Sequence, residues 1–452
     1  MSKEKLVVIG GDAAGMSAAS QARRQRSDLD IIAFEKTPHT SYAACGIPYY
    51  VGDMIKTSDQ LVARAPEVFR EKQNIDARVL HEVVEIDLEG RRVKAVNLSE
   101  NAESWESFDK LLIATGASPI VPDVPGKDAE GVFTISSLES GLRCREALDR
   151  LNPRNAVVIG GGYIGIEMAE ALLMRGCDVT MIEMAPQVMP TLDQDMAGIV
   201  AQKLADDGVE LLLEEPLTGF DVDSNGRVLA VTTSNRTIPT DFTVLAIGIR
   251  PESNLAAAAG VPLGDRNAIR INERMETGIE GVWSAGDCAE SKHLVSGKPF
   301  WVALGTVANK HGRVAGINIA GGNAVFPGVV GTAITKFNEL EIARTGLQQR
   351  EIDKLGIDSI SAKIHSKTRA HYYPGAELIN VKLFAEKGNG RLLGAQIIGG
   401  PGSGKRIDTA AAALHAGMTI EDLINLDLSY APPFSPVWDP LQIAARVLLS
   451  KL

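Results

Sequence analysis

The chain has 452 residues, of which 45% are hydrophobic and 23% charged, and its formal net charge at pH 7 is -11. This length predicts two to four domains, and the negative charge argues against a general nucleic-acid surface or an anionic-membrane surface. The four cysteines show no metal-ligand spacing, so we expect no metal site. No window approaches the about 18 apolar residues of a membrane span, and the first apolar run is shorter than that of a signal peptide, so we expect a cytoplasmic protein.

The first predicted element is a βαβ unit at residues 5–35. The segment KLVVIGGDAAGMSAASQARR passes from a strand through a glycine turn, with Gly10 and Gly15, into a helix, and the next strand ends at Glu35. In a dinucleotide-binding unit the glycines allow a tight turn and close helix packing, the helix N-terminus faces a pyrophosphate, and the acid accepts from ribose hydroxyls. Asp12 occupies the position of the middle glycine and departs from this fingerprint.

A single cysteine, Cys45, follows in the segment SYAACGIPYY, with no second cysteine near enough in sequence to pair with it. A second βαβ unit then carries the full fingerprint, with Gly160, Gly162 and Gly165, and its next strand ends at Glu183. Two such units in one chain predict two nucleotide sites. Beyond about residue 327, alternating strands and an Ala-rich helix without a nucleotide motif predict a separate α+β domain.

The order of these motifs, together with ATGASP (114–119), AIGIRP (246–251) and SAGDCAE (284–290), resembles the flavin- and pyridine-nucleotide-dependent disulfide reductases over essentially the whole chain. The resemblance implies an α/β, glutathione-reductase-like fold with two Rossmann-like domains and a C-terminal α+β domain that forms a homodimer. It implies that the NAD domain is inserted into the FAD domain. We place the FAD domain at 1–113 and 249–326, the NAD(P)H domain at 114–248, and the dimerisation domain at 327–452.

The resemblance also assigns residues to the two cofactors. The residues expected at FAD are Gly10, Gly15, Glu35, Lys36, Ala114, Thr115, Gly116 and Asp287. Those expected at the nicotinamide cofactor are Gly160, Gly162, Tyr163, Ile164, Gly165, Glu167, Glu183 and Gly248. Since a carboxylate accepts from a free 2′-hydroxyl and repels a 2′-phosphate, and residues 184–187 contain no Arg or Lys, we expect NADH, with NADPH as the alternative.

The surroundings of Cys45 indicate the subclass. Glutathione reductase and its relatives use a C-x4-C pair, whereas Tyr50 stands at the second position here, so an internal disulfide is absent. A lone cysteine beside a flavin either forms a mixed disulfide with a small thiol, as in coenzyme A-disulfide reductases, or becomes a sulfenic acid, as in NADH oxidases and peroxidases. Both need the thiolate, so we expect positive charge, a helix N-terminus or the flavin to lower the pKa of Cys45.

The coenzyme A-disulfide reductase pattern is matched by Ser41, Cys45, Pro48 and Tyr49. Ala44 departs from it, because some members have an Asn here that contacts the pantetheine chain. The resemblance implies that tyrosines of the partner subunit lie over Cys45 in a shared active site. The candidates are Tyr430 and one of Tyr372 and Tyr373. The residues expected to contact coenzyme A are Ser17, Gln21, Arg24, Ser41, Asn309 and Trp438.

The implied reaction is the FAD-dependent reduction of coenzyme A disulfide, or of a related small disulfide or persulfide, by NAD(P)H through a Cys45–S–CoA mixed disulfide. The alternative is an NADH oxidase or peroxidase that cycles Cys45 through a sulfenic acid. A redox sensor without enzymatic activity would leave two complete cofactor units unexplained.

Overall fold

The computed structural model describes residues 3–452. Parallel strands rich in buried aliphatic residues form its first sheet, in the order β18 (Val282–Ser284), β7 (Lys110–Ile113), β1 (Lys5–Ile9), β2 (Asp30–Glu35) and β3 (Asp76–Val79). The elements up to residue 113 are β1 (Lys5–Ile9), α1 (Ala13–Gln25), β2 (Asp30–Glu35), α2 (Ile47–Val51), α3 (Pro66–Gln73), β3 (Asp76–Val79), β4 (His81–Asp87), β5 (Arg92–Asn97), β6 (Ala102–Ser107) and β7 (Lys110–Ile113). Strands β4, β5 and β6 form a separate antiparallel sheet.

A second parallel sheet, in the order β12-β11-β10-β16-β9, lies in the next part of the chain. The elements of this part are β8 (Ala117–Pro119), β9 (Val132–Thr134), α4 (Leu138–Leu151), β10 (Asn155–Ile159), α5 (Tyr163–Met174), β11 (Asp178–Glu183), α6 (Gln194–Asp206), β12 (Glu210–Leu213), β13 (Leu217–Val222), β14 (Val228–Thr233), β15 (Thr237–Pro239) and β16 (Phe242–Leu245). In both parallel sheets the strand before the glycine turn is central and almost wholly buried, as expected where helices cover both faces.

The chain then returns to the first sheet, because β18 pairs with β7. The elements of this part are β17 (Ile249–Pro251), α7 (Asn254–Ala258), β18 (Val282–Ser284), β19 (Ser291–Lys292), β20 (Pro299–Phe300) and α8 (Gly305–Ile319). Helix α8 packs closely on α1, since a Cβ added at Gly312 or Gly316 would overlap backbone carbonyl oxygens of α1. The second sheet is therefore inserted between strands of the first.

The C-terminal part contains a five-stranded antiparallel sheet in the order β21-β22-β25-β24-β23. Its elements are β21 (Ala333–Phe337), β22 (Leu340–Gly346), α9 (Gln349–Leu355), β23 (Ser359–Lys367), β24 (Leu378–Glu386), β25 (Leu392–Gly399), α10 (Ile407–His415), α11 (Ile420–Asn425) and α12 (Pro440–Leu449). All eight residues of β25 are buried, in a hydrophobic core that residues of α10 and α12 share.

These sheets confirm the predicted fold class: two Rossmann-like parallel sheets, the second inserted in the first, and a C-terminal α+β unit. The domain boundaries stay predictions. Across residues 3–452, no helix is both long and apolar enough to span a membrane.

Candidate active site

The glycine turn of the first βαβ unit has the geometry that a dinucleotide needs. Gly10 has φ +105°, and a Cβ there would overlap the carbonyl oxygen of Ala114, while a Cβ at Gly15 would overlap the carbonyl oxygen of Gly10. At the end of β2, the Glu35 carboxylate accepts the backbone N–H of Gly11 at 2.8 Å and that of Thr37 at 2.8 Å. Glu35 is thus held beside the turn. Lys36, the next residue, is exposed.

The second unit repeats this arrangement with different residues. Gly160 has φ +105°, and a Cβ at Gly165 would overlap its carbonyl oxygen, whereas a Cβ at Gly162 meets no atom within 4 Å. The Glu183 carboxylate accepts the N–H of Gly161 at 2.7 Å and that of Ala185 at 2.8 Å. Open space at the middle glycine, where a pyrophosphate approaches the backbone, fits a bound dinucleotide.

The other residues predicted at the nicotinamide cofactor lie around this turn. Tyr163 and Ile164 begin α5, directly after the glycines, and Glu167 lies one turn further along. Gly248, with φ +119°, lies after β16, whose neighbour in the sheet is β10. Because β10 and β16 are parallel neighbours, the glycine turn and Gly248 both follow the carboxyl ends of their strands, at the same edge of the second sheet.

Asp287 supplies a test of whether the first unit fits FAD. It follows Gly286 (φ +84°) at the end of β18, and it does not cap α8, whose N-cap residue is Leu304. Its Oδ1 atom is buried without a hydrogen-bond partner, and burial raises its pKa to about 6. A buried acceptor without a donor fits a ligand rich in hydroxyl groups, such as the ribityl chain of FAD.

Residues 114–116, where the chain leaves the first sheet after β7, also leave space for a cofactor. Ala114 continues β7 by donating its N–H to the carbonyl oxygen of Ile9 at 2.8 Å, and the Thr115 hydroxyl donates to the carbonyl oxygen of Glu252. Gly116 has φ +74°, and a Cβ there would meet no atom within 4 Å. The residues predicted at FAD therefore fit that cofactor.

Cys45 lies in a short 3-10 turn, Ala44–Gly46, that runs into α2. Its side chain is exposed, whereas the other cysteines, Cys144, Cys177 and Cys288, are buried. The preceding segment is tied to the first glycine turn, since Ser41 N–H donates to the carbonyl oxygen of Gly11 at 3.1 Å. The reactive cysteine predicted from the sequence thus lies beside the predicted FAD site.

The charges around Cys45 differ from the expectation. Although the side chain reaches solvent, the surrounding atoms partly desolvate the sulfur, and this raises the pKa of the Cys45 thiol; the carboxylates of Glu167 and Asp287 raise it further. The chain by itself therefore does not lower this pKa as predicted, because the sulfur is partly buried and its charged neighbours are acidic rather than basic.

Tyr50, at the position of the missing second cysteine, packs against α4 of the inserted unit. Its ring lies under the Arg145 guanidinium, 4.5 Å from ring centroid to Cζ. Arg145 also donates to the carbonyl oxygen of Tyr50 at 2.5 Å and to Asp53 at 2.6 Å. Burial, followed by the charges of Glu167, Glu170 and Cys45, raises the pKa of the neighbouring Tyr49 to about 12.

Glu167 connects the inserted unit to the C-terminal one. The Thr335 hydroxyl donates to its Oε1 atom at 2.7 Å, and burial raises the pKa of the Glu167 carboxyl. One turn along α5, buried Glu170 forms an ion pair with Lys336. Sequence reasoning missed both Thr335 and Arg145, because each acts on a residue far along the chain and neither lies in a motif.

Four of the predicted coenzyme A residues form two adjacent pairs on α1 and α8. The Ser17 hydroxyl donates to Asn309 Oδ1 at 2.8 Å, and Arg24 donates to Gln21 Oε1 at 2.6 Å. Ser17, Gln21 and Arg24 share one face of α1, at helical spacing. Ser41 lies at the glycine turn, whereas Trp438 lies apart, in the C-terminal unit, with Arg446 over its ring at 4.5 Å.

The predicted tyrosines are on the surface of the C-terminal unit. Tyr372, Tyr373 and Tyr430 are exposed, and the neighbouring hydroxyl of Tyr372 raises the pKa of Tyr430. Phe434, 76% exposed, and Val437, 69% exposed, lie in the segment that follows Tyr430. Within one chain, the structure brings Tyr372 and Tyr430 together.

Comparison with known proteins identifies the family to which this architecture belongs. Residues 4–312 match the family model described as pyridine nucleotide-disulphide oxidoreductase, and residues 332–440 match the dimerisation domain of that family, which supports a homodimer. The chain is 44% identical over 447 residues to the NAD(P)H coenzyme A polysulfide/persulfide reductase of Pyrococcus horikoshii, covering 99% of this chain and 98% of that one.

Two further similar proteins represent the two alternative reactions, disulfide reduction and oxygen reduction. The coenzyme A disulfide reductase of Staphylococcus haemolyticus is 30% identical over 434 residues, covering 95% of this chain and 96% of that one. The solved structure of a water-forming NADH oxidase from Lactobacillus brevis, bound to NADH, is 26% identical with a TM-score of 0.94, covering 99% and 98%. The chain therefore belongs to the pyridine nucleotide-disulphide oxidoreductase family and is an FAD- and NAD(P)H-dependent oxidoreductase.

Proposed function

We propose that the protein reduces coenzyme A disulfide, or a related small disulfide or persulfide, with NAD(P)H through a Cys45–S–CoA mixed disulfide. One observation carries this proposal: Cys45 is exposed, while Tyr50 packs against Arg145 where the second cysteine of a C-x4-C pair would be. The other three cysteines are buried. The thiol that exchanges a disulfide with Cys45 must therefore come from another molecule.

The reaction balances as NADH, one proton and coenzyme A disulfide giving NAD⁺ and two coenzyme A thiols. The Cys45 thiolate attacks one sulfur of the disulfide, which releases one coenzyme A and forms the mixed disulfide. Two electrons then break this bond, and the second coenzyme A leaves as Cys45 returns to the thiolate. Bound FAD supplies the two-electron connection between nicotinamide and sulfur.

Residues of the chain orient the two ligands. The Ser17–Asn309 and Gln21–Arg24 pairs offer coenzyme A hydroxyl, amide and guanidinium groups, of which the guanidinium suits a phosphate. At the nicotinamide cofactor, the Glu183 carboxylate favours a free 2′-hydroxyl, so NADH is the expected donor. Met184, which follows it, is exposed and brings no positive charge that a 2′-phosphate would need.

We further propose that the active site is shared between two subunits of a cytoplasmic homodimer. Tyr372, Tyr430 and, later in the same loop as Tyr430, Phe434 and Val437 are exposed, and we propose that a second copy covers them. Phenol groups brought to Cys45 in this way would donate hydrogen bonds to a leaving thiolate. They would supply the stabilisation that acidic Glu167 and Asp287 do not give the thiolate.

An NADH oxidase or peroxidase is the second candidate, because the similar Lactobacillus brevis structure is a water-forming NADH oxidase and one cysteine suffices for sulfenic acid chemistry. The names of the Pyrococcus and Staphylococcus relatives, which specify coenzyme A persulfide and disulfide reduction, favour the first candidate.

Anaerobic steady-state kinetics separate the two. With NADH and coenzyme A disulfide and no oxygen, we expect two thiols released per NADH consumed. Cys45→Ser should lower this rate by about 100-fold or more. Cys177→Ser, a buried control in which the hydroxyl can still donate to the carbonyl oxygen of Pro153, should retain it. NADH consumption that requires oxygen or peroxide would instead support the second candidate.

A further inference from the structure

Asp12 stands where the glycine fingerprint has its middle glycine, and its side chain does not cap the helix that it precedes. It is the N-cap residue of α1, a position at which a carboxylate normally accepts from the second or third amide of the helix. No such capping bond is present at Asp12. The carboxyl group therefore has another role at this position.

The carboxyl reaches instead to the segment that leads to Cys45. Its Oδ1 atom accepts the backbone N–H of Tyr42 at 3.1 Å, next to the bond from Ser41 N–H to the Gly11 carbonyl oxygen. Two neighbouring bonds thus join residues 11–12 to residues 41–42. Cys45 lies only three residues beyond the second of them.

This segment needs an anchor because its backbone is strained. Ser41 has φ +47°, which lies in the left-handed region that disfavours residues with a Cβ atom. On the far side, Ala43 N–H donates to the carbonyl oxygen of Leu61 at 2.7 Å, and after the turn Arg145 holds the carbonyl oxygen of Tyr50. The cysteine turn is therefore fixed at both ends, with Asp12 at the beginning.

The position is an unfavourable one for a carboxylate. Burial, together with the charges of Glu35 and Asp287, raises the pKa of Asp12 to about 7, against the hydrogen bond from the amide of Tyr42. A glycine would avoid this electrostatic cost. The contact with Tyr42 gives a reason for the carboxyl side chain.

We infer that Asp12 is a positioning residue, whose side-chain oxygen holds the Cys45 segment against the start of α1. The inference deepens the proposed function and rests on it for its catalytic consequence. The bond itself is a property of the fold and is testable without turnover.

The test compares Asp12→Asn, which keeps an acceptor oxygen and removes the charge, with Asp12→Gly, which restores the fingerprint and removes the acceptor. Hydrogen exchange of a peptide covering residues 40–46 is followed by mass spectrometry in the FAD-loaded protein. We expect exchange at this peptide to accelerate about tenfold in Asp12→Gly and to stay near that of the unsubstituted protein in Asp12→Asn.

Flavin content and the rate of coenzyme A disulfide reduction provide the second readout. Asp12→Gly should keep its FAD and its KM for NADH while kcat/KM for the disulfide falls about tenfold, and Asp12→Asn should keep all three. Unchanged exchange in Asp12→Gly, loss of FAD from that variant, or equal acceleration in Asp12→Asn would each overturn the inference. An unsubstituted protein that is inactive on the disulfide would contradict the proposed function alone, since the exchange result would still decide the role of Asp12.

Discussion

The reactivity of Cys45 depends on the charges that face its sulfur. Partial burial and the acids Glu167 and Asp287 raise the pKa of this thiol, so less of it is thiolate at neutral pH than for an unperturbed cysteine. The reaction needs the thiolate. Groups outside the chain, namely the cofactor and the proposed partner tyrosines, therefore have to offset this unfavourable environment.

Glu167→Gln should make Cys45 react faster, because losing a nearby negative charge lowers the pKa of the thiol and increases the thiolate fraction. We expect alkylation by iodoacetamide at pH 8, followed by intact mass, to accelerate about two- to fivefold. Exposed Glu421 on α11 provides the control, and Glu421→Gln should not change the rate. An unchanged or slower rate in Glu167→Gln would show that this carboxylate does not control the thiol.

Single residues differ in how well the sequence predicts them. The acids Glu35 and Glu183 lie at the ends of strands in a repeated pattern, so their place beside a glycine turn follows from local sequence. The Thr335–Glu167 bond joins residues 168 positions apart, and the Arg145–Tyr50 contact spans 95. Such contacts depend on how separate units pack, and no local pattern encodes them.

Helices α1 and α8 are held close together by small residues. A Cβ at Gly312 would overlap the carbonyl oxygen of Ala14 and lie 2.8 Å from the Cβ of Ser17. This close approach also sets the Ser17–Asn309 hydrogen bond across the two helices. The contact therefore connects the packing of the fold to the proposed coenzyme A site.

Gly312→Ala should lower the stability of the protein by about 1–3 kcal/mol, because the added methyl group forces the helices apart. Gly198→Ala is the matched control, since Gly198 lies inside α6 with no atom within 4 Å of an added Cβ, and alanine favours helices. Thermal unfolding should show a lower midpoint for Gly312→Ala and an equal or higher one for Gly198→Ala. A Gly312→Ala midpoint at or above the unsubstituted value would contradict this packing.

The sequence also predicts the main elements well. Glycine turns between buried β-branched strands and Ala-rich helices produce the same βαβ geometry twice, with φ +105° at both Gly10 and Gly160. The long insertion between β7 and β18 is implied by the resemblance to the disulfide reductases rather than by any local feature of the sequence. The role of the Asp12 side chain cannot be predicted from the sequence, because its hydrogen-bond donor, the amide of Tyr42, approaches it only in the folded chain.

The C-terminal unit exposes several aromatic and apolar side chains, among them Tyr372, Tyr430 and Phe434, and the dimerisation-domain match covers residues 332–440. The proposed shared site requires these side chains to meet Cys45 of a second copy. Mixed dimers can test the arrangement, since each subunit then carries a different defect.

We expect Tyr372→Phe combined with Tyr430→Phe to lower disulfide reduction about tenfold or more, by removing two donors to the leaving thiolate. A heterodimer of this double variant with a Cys45→Ser subunit should regain about half of the unsubstituted activity per dimer, because the intact cysteine then meets intact tyrosines across the interface. The two parent homodimers, purified in the same way, are the controls. A heterodimer as inactive as its parents would place the tyrosines and the cysteine in the same subunit.

The mass of the protein denatured without reductant tests the central claim most directly. After incubation with coenzyme A disulfide and removal of excess ligand, the unsubstituted protein and the Cys177→Ser variant should each carry one adduct of coenzyme A mass, released by dithiothreitol. Cys45→Ser should carry none. An unsubstituted protein without the adduct, or one that carries only added oxygen on Cys45, would contradict a mixed disulfide between this cysteine and coenzyme A.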